Sequence, residues 1–196
     1  MARPRSDTRE RLVAATSKLL REQGYHGTGM SQIVAESGAP RGSVYFLFPG
    51  GKEELAVEAV AASAAEFAEQ LRSAASAPDV AGFASLLIGH LAEELRESQF
   101  TSGCPITTVT LEAAPASPSI TDACRRAYDS WLDVIEEIAV GYGVPADSAR
   151  ALAVFGLTAV EGALVLCRAA RDTGALETVE PLLTETLTRA ADSGPN

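Results

Sequence analysis

Histidine is nearly missing from this chain, with two in 196 residues, and cysteine is scarce, with three. His26 and His90 neighbour no Cys, Ser or acid at a catalytic or metal-ligating spacing, and Cys104, Cys124 and Cys167 form no CxxC pair. These absences argue against a disulfide framework, a zinc site and nucleophilic catalysis. No stretch alternates apolar and polar residues as a half-buried strand would, so no Gly-rich phosphate loop follows a strand. Paired acids such as Glu93-Glu94 and Glu136-Glu137 read as solvated helix faces. No enzymatic activity, metal or cofactor is expected. The most apolar run, Ala151 to Cys167, carries Glu161 and falls short of the roughly 20 residues that span a bilayer. No apolar run follows the opening residues Met1 to Asp7, so no secretory signal is expected. The expectation is a soluble, cytoplasmic protein with no membrane partner.

What is present is apolar and helix-forming. The chain is 46% hydrophobic and 21% charged, a globular composition, and 35 of its residues are alanine. Alanine loses no side-chain entropy on entering a helix, so the bias favours helix. The net charge is -10, which by itself disfavours a polyanionic partner. It is unevenly spread, however. Residues 1–48 hold seven basic and four acidic side chains, a balance of +3, and the remaining 148 hold nine and 22, a balance of -13. A small basic head on an acidic body points to an anion met by the head alone, although a solvated terminal charge run gives the same count.

The periodicity predicts about nine helices and an all-α fold. Asp7 and Glu10 resemble a capping box, and Leu12, Ala15, Leu19 and Leu20 then share one face up to a left-handed cap at Gly24. Two short helices follow, Met30 to Ser37 and Pro40 to Phe46, separated by Gly38-Ala39-Pro40 in a helix-turn-helix pattern. Longer helices are predicted from Lys52 to Ser73, Asp79 to Gln99, Ser119 to Val140, Asp147 to Ala170 and Leu176 to Ala190. A shorter one spans Ile106 to Ala113.

Three segments carry a more specific signal. They are Gly24-Tyr25-His26-Gly27-Thr28, Ser31-Gln32-Ile33-Val34-Ala35 and the run Pro40-Arg41-Gly42-Ser43-Val44-Tyr45-Phe46-Leu47-Phe48-Pro49-Gly50-Gly51-Lys52-Glu53-Glu54-Leu55. In residues and spacing they resemble the DNA-binding head of TetR/AcrR-type transcriptional regulators over residues 8–55. Ser102-Gly103-Cys104-Pro105-Ile106, Trp131 and Glu161-Gly162-Ala163-Leu164 are similar to the lincomycin- and flavonoid-responsive (LmrA/YxaF-like) branch. The resemblance implies a three-helix DNA-binding domain at 1–55 and a helical effector-binding and dimerisation domain at 56–196. It implies a repressor that binds a palindromic double-stranded DNA operator as a homodimer and is released by a small hydrophobic or aromatic effector. Two departures stand out. Leu47 occupies a position where the family usually has His, and Ala39-Pro40 replaces the usual Ser or Thr cap.

The chemistry of the head fits that reading. Arg41 offers a bidentate fork to a guanine edge, and Gly42 allows close backbone approach. Thr28, Ser31, Ser43 and Tyr45 carry hydroxyls for phosphate or base, and Lys52 adds charge at the start of a helix. Pro40 and Phe46 complete the candidate face, with core packing as the other reading of Tyr45 and Phe46. Phe48 is expected to anchor the following helix to the head. Arg3 and Arg5 lie on a terminal arm.

In the body, Phe83, Phe100, Cys104, Ile106, Val109, Tyr128, Trp131 and Phe155 are the large or polarisable side chains from which an apolar pocket is expected. Glu161 is placed on the pocket, the dimer interface or a wet face. The dimer seam is expected at Leu152, Gly156, Ala159, Ala163, Leu164, Leu183 and Leu187, where small residues allow close helix approach. Two other classes stay open. A helical interaction protein would show no salt-dependent affinity for duplex DNA, and a thiol redox sensor would use one of the cysteines.

Overall fold

The computed structural model describes residues 5–193. Arg3 and the side chain of Arg5 lie outside the described residues. Among the described residues there are nine α-helices and no strand: α1 (Arg5–Gly27), α2 (Met30–Ser37), α3 (Arg41–Leu47), α4 (Gly51–Ala74), α5 (Val80–Glu97), α6 (Pro105–Glu112), α7 (Pro118–Gly141), α8 (Ala146–Ala170) and α9 (Gly174–Asp192). The all-α expectation holds, and most boundaries shift by a residue or two. α1 begins before Asp7, which therefore sits in its first turn and pairs with Arg11 at 3.5 Å instead of capping. Pro40 is the N-cap of α3 and not its first residue. Asp79 caps α5 by accepting from Gly82 N at 2.8 Å.

The chain divides into two compact units, one of residues 1–65 and 104–128, the other of 66–103 and 129–196. In the first, Leu12 and Leu19 of α1, Ile33 of α2, Ala39, Val44 of α3, Phe48 and Leu55 of α4 form one buried cluster. Phe48 is fully buried, as its anchoring role requires. Arg9, Arg11 and Lys18 of α1 brace this cluster. Arg9 donates to Leu47 O at 2.9 Å, pairs with Glu58 and lies 4.4 Å above the Phe48 ring. Arg11 donates to Ser37 O at 2.7 Å, and Lys18 pairs with Glu36 at 2.6 Å. Much of the head's positive charge is therefore engaged within the head itself.

The second unit is built on α5, α8 and α9. Ile88, Leu91 and Leu95 meet Val160, Ala163, Leu164 and Cys167, closed by Leu176 and Leu183. A side chain at Gly103 would meet the Arg168 guanidinium, its Cβ 2.6 Å from Nη1, while Arg168 Nη2 donates to Thr101 O at 2.9 Å. α8 is itself long and apolar enough to cross a membrane, where the sequence reading placed its apolar stretch short of one. Its sides differ: Ala153, Val160, Ala163, Leu164 and Cys167 are buried, and Val154, Phe155, Val165 and Leu166 are exposed.

Candidate DNA-binding face and effector cavity

The two helices of the helix-turn-helix are held by their ends. Gly29 N donates to Gln32 Oε1 at 2.7 Å at the start of α2, and Gly38, at φ 60°, closes it in the left-handed region. α3 then buries Val44 and turns its other faces outward. Arg41 and Gly42 are exposed, and a Cβ at Gly42 would meet nothing within 4 Å. Arg41 makes no hydrogen bond or ion pair among the described residues. Tyr45 and Phe46 are 62% and 66% exposed, so neither packs under the helix. Pro40 and Ser31 are also exposed, and Ser43 is half-buried. The open face of α3 is thus an arginine fork, a bare backbone position and two aromatic rings.

Two members of the predicted set are engaged elsewhere. Thr28 is 1% exposed and its hydroxyl donates to Gly24 O at 2.7 Å, so it holds the turn after α1 and offers no donor outward. Lys52 is half-buried, with Nζ 4.2 Å above the Tyr25 ring, and this burial pushes its pKa down against the attraction of Glu112.

The cavity of the second unit lies elsewhere than the sequence suggested. Its volume is about 60 Å³, and it is partly open to solvent. Phe67 and Leu71 of α4 and Val80, Phe83 and Leu87 of α5 form one side. Ile135 and Ile138 of α7, Tyr142 in the turn after it, Leu152, Gly156 and Val160 of α8, and Leu183 and Leu187 of α9 form the rest. Of the aromatics singled out in the sequence, Phe83 alone lines it. Trp131 is buried one layer away, 4.7 Å edge-on to Phe67. Phe100 packs on the α5–α8–α9 core, Phe155 is half exposed, and Glu161 is half-buried. In the first unit, Ile106 and Val109 are fully buried, and Cys104 caps α6, its Sγ accepting from Thr107 N at 3.5 Å. The Tyr128 hydroxyl meets Thr107 Oγ1 at 2.8 Å.

Of the seven residues expected at the dimer seam, Ala163, Leu164 and Leu183 are buried within the chain itself, and Leu152, Gly156, Ala159 and Leu187 are half-buried. Ala159, Ala163, Leu164 and Leu183 belong to the α5–α8–α9 core, and Leu152, Gly156 and Leu187 line the cavity. α8 is apolar on both sides, and its small-residue stripe packs against α9 within one chain. A Cβ at Gly156 would sit 3.9 Å from Leu183 Cδ2. Nothing in the spacing distinguished the two sides; the exposed stripe Val154, Phe155, Val165 and Leu166 was legible only as apolar residues on the opposite one.

Comparison with known proteins decides the family. Residues 12–59 match the family model for bacterial regulatory proteins of the tetR family, and residues 80–181 match that for the C-terminal domain of LmrA/YxaF-like transcriptional regulators. The chain belongs to the TetR family. The HTH-type transcriptional regulator LmrA of Bacillus subtilis is 31% identical, with 93% of this chain and 98% of that protein covered. The regulator YxaF of the same organism is 34% identical over 86% and 88%, and Rv0196 of Mycobacterium tuberculosis is 35% identical over 87% and 89%. The fold is shared with a TetR-family regulator from Cytophaga hutchinsonii, with a TM-score of 0.80 at 19% identity over 97% of this chain and 98% of that one. This TetR-family chain is a transcriptional regulator with a helix-turn-helix DNA-binding head, and it is not an enzyme.

Proposed function

We propose that this regulator is a repressor: a homodimer that holds a palindromic operator and lets go when a small hydrophobic or aromatic effector enters the body. In this reading residues 1–55 are the DNA-binding module and residues 56–196 the effector and dimerisation module, acting in the cytoplasm. The observation that carries it is the open face of α3, where Arg41 has no partner among the described residues and Gly42 has nothing beside it, while Arg9, Arg11 and Lys18 are braced. An arginine fork at the start of a short helix suits bidentate reading of a guanine in the major groove, and the bare glycine admits the helix to it. Ser31, Ser43, Tyr45 and Phe46 flank that point as phosphate, sugar or thymine-methyl contacts.

A palindrome is read by two heads, and the exposed apolar stripe of α8 supplies a surface for the second copy. Val154, Phe155, Val165 and Leu166, with Leu182 of α9 at 55% exposure, form a patch of the kind that marks an interface. The apolar cavity supports the effector half of the reading. The thiol-sensor reading has less behind it. Cys124 and Cys167 are buried, burial pushes the Cys124 thiol up, and Cys104 is occupied as a helix cap. The test is a titration of the DNA upstream of the protein's own gene at several salt concentrations. Tight, salt-dependent binding that exceeds binding to scrambled DNA supports the reading, and salt-independent or absent binding removes it.

A further inference from the structure

The polar character of the cavity wall sets what the effector can be. Its lining holds no Lys, Arg, His, Asp or Glu, and its one polar side chain is Tyr142. That hydroxyl is already used, directed at Ala77 O at 3.0 Å and Ala75 O at 3.2 Å, the carbonyls that follow α4. Tyr142 carries a single O–H, so with those carbonyls beside it no donor is left over for a guest. The charge felt at that phenol is also of the wrong sign for an anion. Burial and the carboxylate of Asp79 together push the Tyr142 phenol up, so an anionic ligand would meet Asp79 with no cation to offset it. Around the phenol, Phe83 lies 6.0 Å away and Phe67, Leu87 and Leu152 supply hydrocarbon.

We infer that the effector of this cavity is an uncharged, hydrocarbon-rich molecule held by shape and dispersion, and that its carboxylate analogues are rejected. This rests on the reading of the chain as an effector-released regulator. Burying a carboxylate without a partner is strongly unfavourable, whereas alkyl or aryl carbon gains by leaving water. The cavity of about 60 Å³ holds no more than a few waters, so any larger guest must part the side chains of α5 from those of α8 and α9. Phe67 carries that displacement to Trp131, against which it is packed.

Butylbenzene and 4-phenylbutyrate share a skeleton and differ by the carboxylate, which makes them the probes. The full-length protein is titrated with each at neutral pH, following melting temperature and the emission of Trp131, the only tryptophan. Butylbenzene is expected to raise the melting temperature and shift the emission, with 4-phenylbutyrate at least about 100-fold weaker. Tyr142→Phe should leave butylbenzene affinity within about two-fold, because the hydroxyl takes no part in binding. Gly156→Leu fills the cavity and should abolish the emission shift; if it fails to fold, the wild-type and Tyr142→Phe titrations still decide. Equal or tighter binding of 4-phenylbutyrate, no response to either probe, or wild-type affinity in folded Gly156→Leu would overturn the inference. Failure of the underlying reading looks different: butylbenzene binds as expected while affinity for the protein's own upstream DNA stays unchanged.

Discussion

The carboxylate of Glu112, at the end of α6, occupies the space where a side chain on Gly24 would stand. Gly24 has φ +75°, and the turn it opens presents His26 N, which donates to Glu112 Oε2 at 2.9 Å. The His26 ring completes the contact through Nε2, 3.0 Å from Glu112 O. Thr28 closes the same turn from inside. A glycine that reads in sequence as a helix stop is thus also the seat of a contact 88 residues away, which no local pattern announces.

Gly24→Ala should accordingly destabilise the protein by more than the roughly 1–3 kcal/mol that its glycine-only backbone conformation costs another residue, because the added methyl also displaces Glu112. Chemical denaturation checks this. A loss of no more than about 1 kcal/mol would mean that the turn relaxes and the Glu112 carboxylate yields freely.

Thr28→Val keeps the shape and removes the hydroxyl that serves Gly24 O. It should cost about 1 kcal/mol of stability and leave the salt dependence of operator binding unchanged. A fall in the salt slope would return Thr28 to the DNA-contacting set.

Leu166→Glu places a charge in the exposed stripe of α8, and light scattering at low micromolar concentration should then report a monomer. Gly156→Leu, aimed at the cavity, should leave the dimer intact. If Gly156→Leu yields monomers and Leu166→Glu does not, the buried side of α8 is the seam after all.

Most of the fold was legible because helix signals are local. Capping residues, Gly and Pro breaks and 3.6-residue periodicity all lie within a few positions of what they control, and the head's motif is contiguous. The body was legible only as helices. α8 is apolar on both sides, so which side meets the chain's own α9 depends on packing at long range, and the cavity keeps Phe83 from the expected set but is lined by Gly156 and Leu183 and not by Trp131 or Phe155. Lys52 shows the same limit in the head. Its charge was plain, but its seat over Tyr25 required the fold.

The central claim is that α3 reads operator sequence through Arg41. Fluorescence anisotropy titrations of the upstream DNA and a scrambled duplex, for wild type, Arg41→Ala and Lys52→Ala, test it most directly. Arg41→Ala should lose about 1–3 kcal/mol on the operator, little on scrambled DNA, and relax preference at one base pair per half-site. Lys52→Ala, which removes a charge seated over Tyr25, should leave both affinities and the salt slope nearly unchanged. Equal losses on both duplexes for Arg41→Ala would reduce Arg41 to a phosphate contact and contradict the account.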